Sequence, residues 1–280
     1  MTNLIMNCDG PQHPVLPERM CELYKQLYEL LPDSLDKSTL SAYFPAKGSE
    51  YGKSDIRIML VGRCTNGWYG LTSRSADEFV TSASNSIILG DGFGWIDSND
   101  HTNDHISTYE ENGQTKTYNL HRSAFWRVSK MVTVSAKPWV SAMEKLGYKM
   151  SDDEIVLFEK ANPRWFEHIA WTNLFPIAPK NTGNTSEKLK KLLKNTCGEL
   201  LKEQIEYYRP THILFITDWD YWFSDVAEFF PDVHKTNASA EDDIVGKGTI
   251  NGIKTVVVKR PEARSNMKMS QAIVSELFGV

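Results

Sequence analysis

The sequence predicts an α/β fold: a three-layer sandwich with a central, mostly parallel four-stranded sheet between two layers of helices. Three observations lead there. Short apolar runs rich in branched residues recur at 56–61, 169–175, 212–217 and 255–259. Segments with apolar residues at helical spacing lie between them. Most of the runs stop at a glycine, a proline or a polar cluster, as buried strands do. Strands that alternate with helices favour parallel pairing, because each crossover needs an element to carry the chain back. The 280 residues read as a single domain, 1–280, with an N-terminal helical extension over 1–54 and an acidic insertion at about 91–122.

In chain order, Glu18 to Leu31 places Met20, Leu23, Leu27, Leu30 and Leu31 at helical spacing and stops at Pro32. The run Ile56 to Val61 ends at Gly62, a strand entering a glycine turn. Residues 62–122 are rich in Ser, Asn, Asp and Gly, and Asp91, Asp97, Asp100, Asp104, Glu110 and Glu111 make the second half acidic. That half reads as a surface insertion or lid. Ser123 to Val134 is a helix with Phe125, Trp126, Val128, Met131 and Val132 available for packing. Ile169 to Phe175 is a strand ending at Pro176, and Glu187 to Tyr208 is a long helix facing inward through its leucines. His212 to Thr217 is a strand followed by a short helix near Trp222. Thr255 to Lys259 is the last strand, and Ser270 to Leu277 the closing helix.

Composition narrows the class. A hydrophobic content of 41% and a charged content of 24% are ordinary globular values. No run reaches the ~18 apolar residues of a membrane span. Cys8, Cys21, Cys64 and Cys197 are scattered, forming neither a disulfide framework nor a metal signature. The first residues lack a basic segment followed by an apolar one. These features point to a cytoplasmic protein with no membrane contact, metal, cofactor or obligate protein partner. The net charge of −5 excludes a protein basic all over, but not one with a local basic face. From Lys254 to Lys268 there are five basic residues and one acidic. From Lys180 to Lys202 there are six lysines and two glutamates.

In an open parallel sheet, ligands bind beyond the carboxyl ends of the strands. Four places qualify: 62–70 (GRCTNGWYG), 173–180, 217–222 (TDWDYW) and 260–268 (RPEARSNMK). Gly62 permits close backbone approach, and aromatics of this first segment such as Trp68 suit stacking on a planar ligand. Plainer roles stand beside these. Asn173 is suited to bonding loop backbone, Trp171, Phe175 and Trp219 to filling a core, and Lys188, Lys190, Lys191 and Lys194 to one solvated helix face. The joint placement at four strand ends favours a site.

The strand-Gly62 turn, Trp171-Thr-Asn-Leu-Phe-Pro176 and strand-Arg260-Pro-Glu-Ala-Arg-Ser-Asn266 occur in an order that resembles the uracil-DNA glycosylase superfamily, most closely its single-strand-selective and mismatch-specific branches. The resemblance covers about residues 55 to 278. It implies a glycosylase-like fold and a partner in single- or double-stranded DNA. It makes Asn173, followed by Leu174, Phe175 and Pro176, the reader of an extruded base, because one amide accepts from uracil N3–H and donates to O4 together. Gly62, Trp68 and Phe93 complete the base-binding set. In the first motif the family's water-activating residue stands two positions after the glycine. Here Cys64 occupies that place and Asn66 is the matching type in reach, so Asn66 is the residue implied to hold water. In the last motif Arg260 replaces the family's histidine. It could stabilise charge on the departing base or bind a phosphate. Arg264 or Met267 is the implied wedge into the base stack, and Arg264, Asn266, Lys268 and Lys180 are the implied DNA contacts. Three functions follow: an enzyme hydrolysing the N-glycosidic bond of uracil or another damaged base, a non-catalytic nucleic-acid or nucleotide binder, and a small-molecule enzyme whose glycine turn cradles a phosphate.

Overall fold

The computed structural model describes residues 16–64, 75–81, 106–111, 114–119, 123–161, 164–179, 184–262 and 264–279, with only the backbone path for 106–111, 114–119 and 158–161. The four apolar runs form neighbouring parallel strands: β3 (Ile58–Cys64), β6 (Ile169–Phe175), β8 (His212–Ile216) and β11 (Ile253–Val258). β3 lies between β6 and β8, and β11 follows β8, all parallel.

Alternation along these strands builds two cores. Met59, Val61, Ile213, Phe215 and Val257 face α1 (Glu18–Glu29) and the later helix 187–208. Ile58, Leu60, Leu214, Ile216, Val256 and Val258 face α2 (Ala124–Ala136) and the closing helix 266–278. Helices therefore cover both faces of the sheet. Three of these helices start at a serine N-cap: Ser123, Ser186 and Ser265 each accept a backbone N–H of the first turn.

The sheet is larger and more mixed than the four strands predicted. Among the described residues it has seven strands, in the order β2-β6-β3-β8-β11-β10-β9. β2 (Ala46–Lys47) pairs antiparallel with β6. On the other edge, β9 (Val233–Lys235) and β10 (Ile244–Ile250) continue antiparallel from β11. The turn from β10 to β11 is Asn251-Gly252, both with positive φ (52° and 79°), the conformation that an Asn-Gly pair adopts readily in a two-residue hairpin.

The stretch read as an N-terminal extension contributes to the body of the fold. α1 packs on the helix at 187–208, β2 joins the main sheet, and β1 (Leu40–Ala42) pairs with β7 (Ile177–Pro179). Within the acidic insertion, β4 (Ile106–Glu111) and β5 (Gln114–Asn119) form an antiparallel ladder. Two helices, α3 (Pro138–Lys145) and α4 (Asp152–Ala161), follow α2 where the sequence reading places none. Proline at the first position of α3 and three acidic residues in the first turn of α4 are the signals that mark them. The long helix is α5 (Glu187–Tyr208) and the closing one α6 (Asn266–Phe278). In place of a short helix near Trp222 there are two 3₁₀ turns, Phe223–Asp225 and Ala227–Phe229.

Candidate functional site

Because β6, β3, β8 and β11 are parallel, their carboxyl ends share one edge. The chain order reverses about β3, with β6 on one side and β8 on the other, and such a switch point is where open α/β sheets generally bind ligands. Gly62 and Asn173 are register partners on β3 and β6, so their side-chain positions share the face covered by α2 and α6. Asn173 is 5% exposed, and its Oδ1 sits so close over Gly62 that a β-carbon there would clash with it. Gly62 has to lack a side chain for this amide to rest over its backbone. The ring edge of Phe125, from the first turn of α2, is 3.6 Å from the same position. Phe125 is partly buried and meets Trp126 edge-on at 4.8 Å.

The Asn173 Nδ2 has no hydrogen-bond partner among the described residues. A buried amide donor left unpaired costs about 1–3 kcal/mol, and such groups in native structures call for a specific explanation. Here the free donor and the adjacent acceptor sit side by side over a glycine, next to an aromatic edge. A planar ligand carrying an N–H beside a carbonyl satisfies both at once.

One residue further along β3 the chain points to the other face. The Arg63 guanidinium lies 5.5 Å from the centre of the Trp222 ring and 3.8 Å from Glu262 Oε1. Arg260, just past β11, donates to the same oxygen at 3.1 Å. Burial, then the neighbouring Arg260 charge, lowers the Arg63 pKa from its ordinary value. Burial is the largest single influence on Glu262 and works against ionisation, but the hydrogen bond from Arg260, a bond from its own backbone N–H and the charges of Arg260 and Arg63 together hold the carboxyl below its usual value. Asp218, at the end of β8, has φ 74° and spends its carboxylate on the Trp219 backbone N–H at 2.7 Å.

The structure thus brings Gly62, Asn173 and Arg260 to one edge of the sheet. It treats the implied DNA contacts unequally. The Arg264 guanidinium is held by the Asp243 carboxylate at 2.7 Å and by the carbonyls of Ala240 and Glu241. Of the two wedge candidates, Met267 is the one left standing out, at 61% exposed. With its amide oriented to satisfy both groups, Asn266 accepts from Arg127 Nε at 3.0 Å. Lys268 is exposed in the first turn of α6. Asn66, Trp68, Phe93 and Lys180 lie outside the described residues.

The expected solvated lysine face needs correction at one position. Lys190 is 3% exposed, with Asp225 at 2.9 Å, Glu187 at 2.7 Å and the Tyr221 carbonyl at 2.6 Å. Three residues escaped the sequence reading as site members. Phe125 reads there as available for packing, and Arg63 and Glu262 fall within the candidate segments 62–70 and 260–268 without a role of their own. The spacing that places Arg63 directly after Gly62 was a usable signal.

No histidine among those described reaches this edge. His168 and His212 stand at the amino ends of β6 and β8, where burial pushes each imidazole down to about 4. His234 is on the edge strand β9. Among the described residues, no group of three or more His, Cys, Asp or Glu side chains is placed to hold a metal ion, and no helix is long and apolar enough to cross a membrane. A scan of the chain against protein-family models and a search of curated proteins gave no match.

Proposed function

We propose that the protein is a uracil-DNA glycosylase-like enzyme that takes an extruded base, uracil or a damaged base with the same edge, and hydrolyses its N-glycosidic bond in DNA. The observation that carries this is the buried Asn173 amide, with its donor unpaired and its acceptor resting over Gly62. Uracil N3–H and O4 match that pair, and a base leaves the duplex to reach such a recess. The four adjacent parallel strands are read as the glycosylase-like core, with β2, β9 and β10 as additions. Phe125 offers an aromatic edge to the bound base.

As the glycosidic bond breaks, negative charge grows on the base. The fixed charge of Arg260, at the same edge of the sheet, offsets it. Asn66 is assigned the attacking water on the motif resemblance alone. We assign the protein to the cytoplasm, where the thiols of Cys21, Cys64 and Cys197, which form no disulfide, stay reduced. One observation favours a second reading, binding without hydrolysis: Arg260 already donates to Glu262.

The test is excision from end-labelled single- and double-stranded oligonucleotides containing one uracil. Wild type is expected to leave an alkali-labile site at the uracil. Arg260→Ala is expected to slow this by roughly 100-fold, the scale for removing one charge-stabilising donor. Binding without cleavage would overturn hydrolysis in favour of the second reading. Absence of both would overturn both.

A further inference from the structure

Cations near the carboxyl edge of the sheet fall into two groups. Most have their own partners. Lys190 is held by Asp225 and Glu187, Lys194 by Glu228 at 3.2 Å, and Lys235 by Asp220. Arg264 is held by Asp243, and Lys259 donates to the carbonyls of Ser239 and Ala240 at 2.8 and 2.9 Å. The acidic block 218–243 and the basic segments therefore largely neutralise each other.

Arg63 and Arg260 differ. They converge on a single oxygen of one carboxylate, Glu262, so two fixed positive charges share one negative charge. Asp218 accepts the Trp219 backbone N–H through Oδ1 and adds only the weakest of the charge attractions on Arg63. The Arg63 side chain is only 20% exposed and stacked toward Trp222, which leaves it little water to compensate. Glu262 is 49% exposed, two residues after Arg260 on the stretch between β11 and α6, so its carboxylate borders solvent from which a competing anion can approach. Two guanidiniums aimed at one point suit a tetrahedral oxyanion better than a lone carboxylate, because each can give parallel N–H bonds to separate oxygens.

We propose that Arg63 and Arg260 form a phosphate-binding site for which Glu262 is the resident, displaceable counter-ion. The ligand is a phosphate group, either a nucleotide's terminal phosphate or a phosphodiester of a DNA strand. Arg63 follows Gly62 on β3 and points to the opposite face, so a phosphate here sits across the strand from Asn173. This assignment does not depend on base excision. Phosphate takes over the place of the carboxylate: a phosphodiester brings the same single negative charge as Glu262, and a terminal phosphate up to one more.

Calorimetric titration at low salt tests it, using inorganic phosphate, 2′-deoxyuridine 5′-monophosphate and an oligonucleotide with abasic positions throughout. Glu262→Gln keeps the shape of a half-exposed side chain and removes the competitor. It is expected to bind inorganic phosphate about tenfold more tightly than wild type, and Arg63→Gln about tenfold more weakly. Tighter binding of the oligonucleotide than of the mononucleotide assigns the site to a phosphodiester, and the reverse order to a terminal phosphate. Thermal melting of Arg63→Gln checks that it is folded. If it is not, the Glu262→Gln comparison decides alone. Equal affinity in wild type and Glu262→Gln, or no phosphate binding by either, would overturn the site. Phosphate binding that responds to these variants in a protein that leaves uracil untouched would sustain this inference and refute excision.

Discussion

Asn173→Ala is expected to reduce uracil excision by at least about 100-fold while leaving the fold close to its original stability. A recess that reads a base through hydrogen bonds loses discrimination steeply when the paired group is removed. The stability effect is small because two terms oppose each other. Alanine leaves a small void, but it also removes a buried amide whose Nδ2 has no partner among the described residues. The penalty of such a donor, about 1–3 kcal/mol, offsets most of the lost packing. Single-turnover excision and urea denaturation on the same preparation separate the two. A wild-type rate in Asn173→Ala would remove this residue from base recognition.

Gly62→Ala is expected to lower both activity and stability. The backbone at Gly62 is ordinary strand, and positive φ is not what requires glycine there. The added methyl would overlap the Asn173 Oδ1. Either the amide turns out of position, or β3 and β6 separate. Overpacking of this kind costs about 1–3 kcal/mol, and the displaced amide carries an activity loss near that of Asn173→Ala. Removing the amide also removes the obstacle, so Gly62→Ala with Asn173→Ala should be more stable than Gly62→Ala alone. That non-additivity distinguishes a direct clash from general damage to the strand. Equal destabilisation with and without Asn173 would place the effect elsewhere.

The parallel strands and α1, α2, α5 and α6 are legible in the sequence because each buries a continuous apolar run or stripe. The antiparallel edge is not, for the opposite reason. β10 reads Ile-Val-Gly-Lys-Gly-Thr-Ile, with exposed Lys247 between two glycines, and β2 has two residues. Such edge elements pair through backbone and carry little hydrophobic signal. Their turns were better clues: Asn251-Gly252 joins β10 to β11, and the sequence between β4 and β5 is Asn112-Gly113.

The site was legible in part. Gly62, Asn173 and Arg260 are separated by up to 198 positions, yet strand ends predict a shared edge once the sheet is parallel. Charge was harder to read, because sequence segments show excess and not pairing. The basic run 254–268 and the acidic block 218–243 look independent in the sequence, whereas Arg264 with Asp243 and Lys259 with the 239–240 carbonyls join them. Phe125 could not be told from core by spacing, since a partly buried aromatic on a helix has the same periodic signature as a fully buried one.

The most direct test of base recognition at Asn173 is the side-chain amide spectrum of ¹⁵N-labelled protein, with the Asn173 pair assigned by its absence in Asn173→Ala. Saturation with free uracil, and separately with a uracil-containing single strand, is expected to shift the Asn173 Nδ2 protons downfield as the unpaired donor gains an acceptor. Thymine-free control strands without uracil should leave them in place. An Asn173 amide signal unmoved at saturating ligand would contradict base recognition at this site.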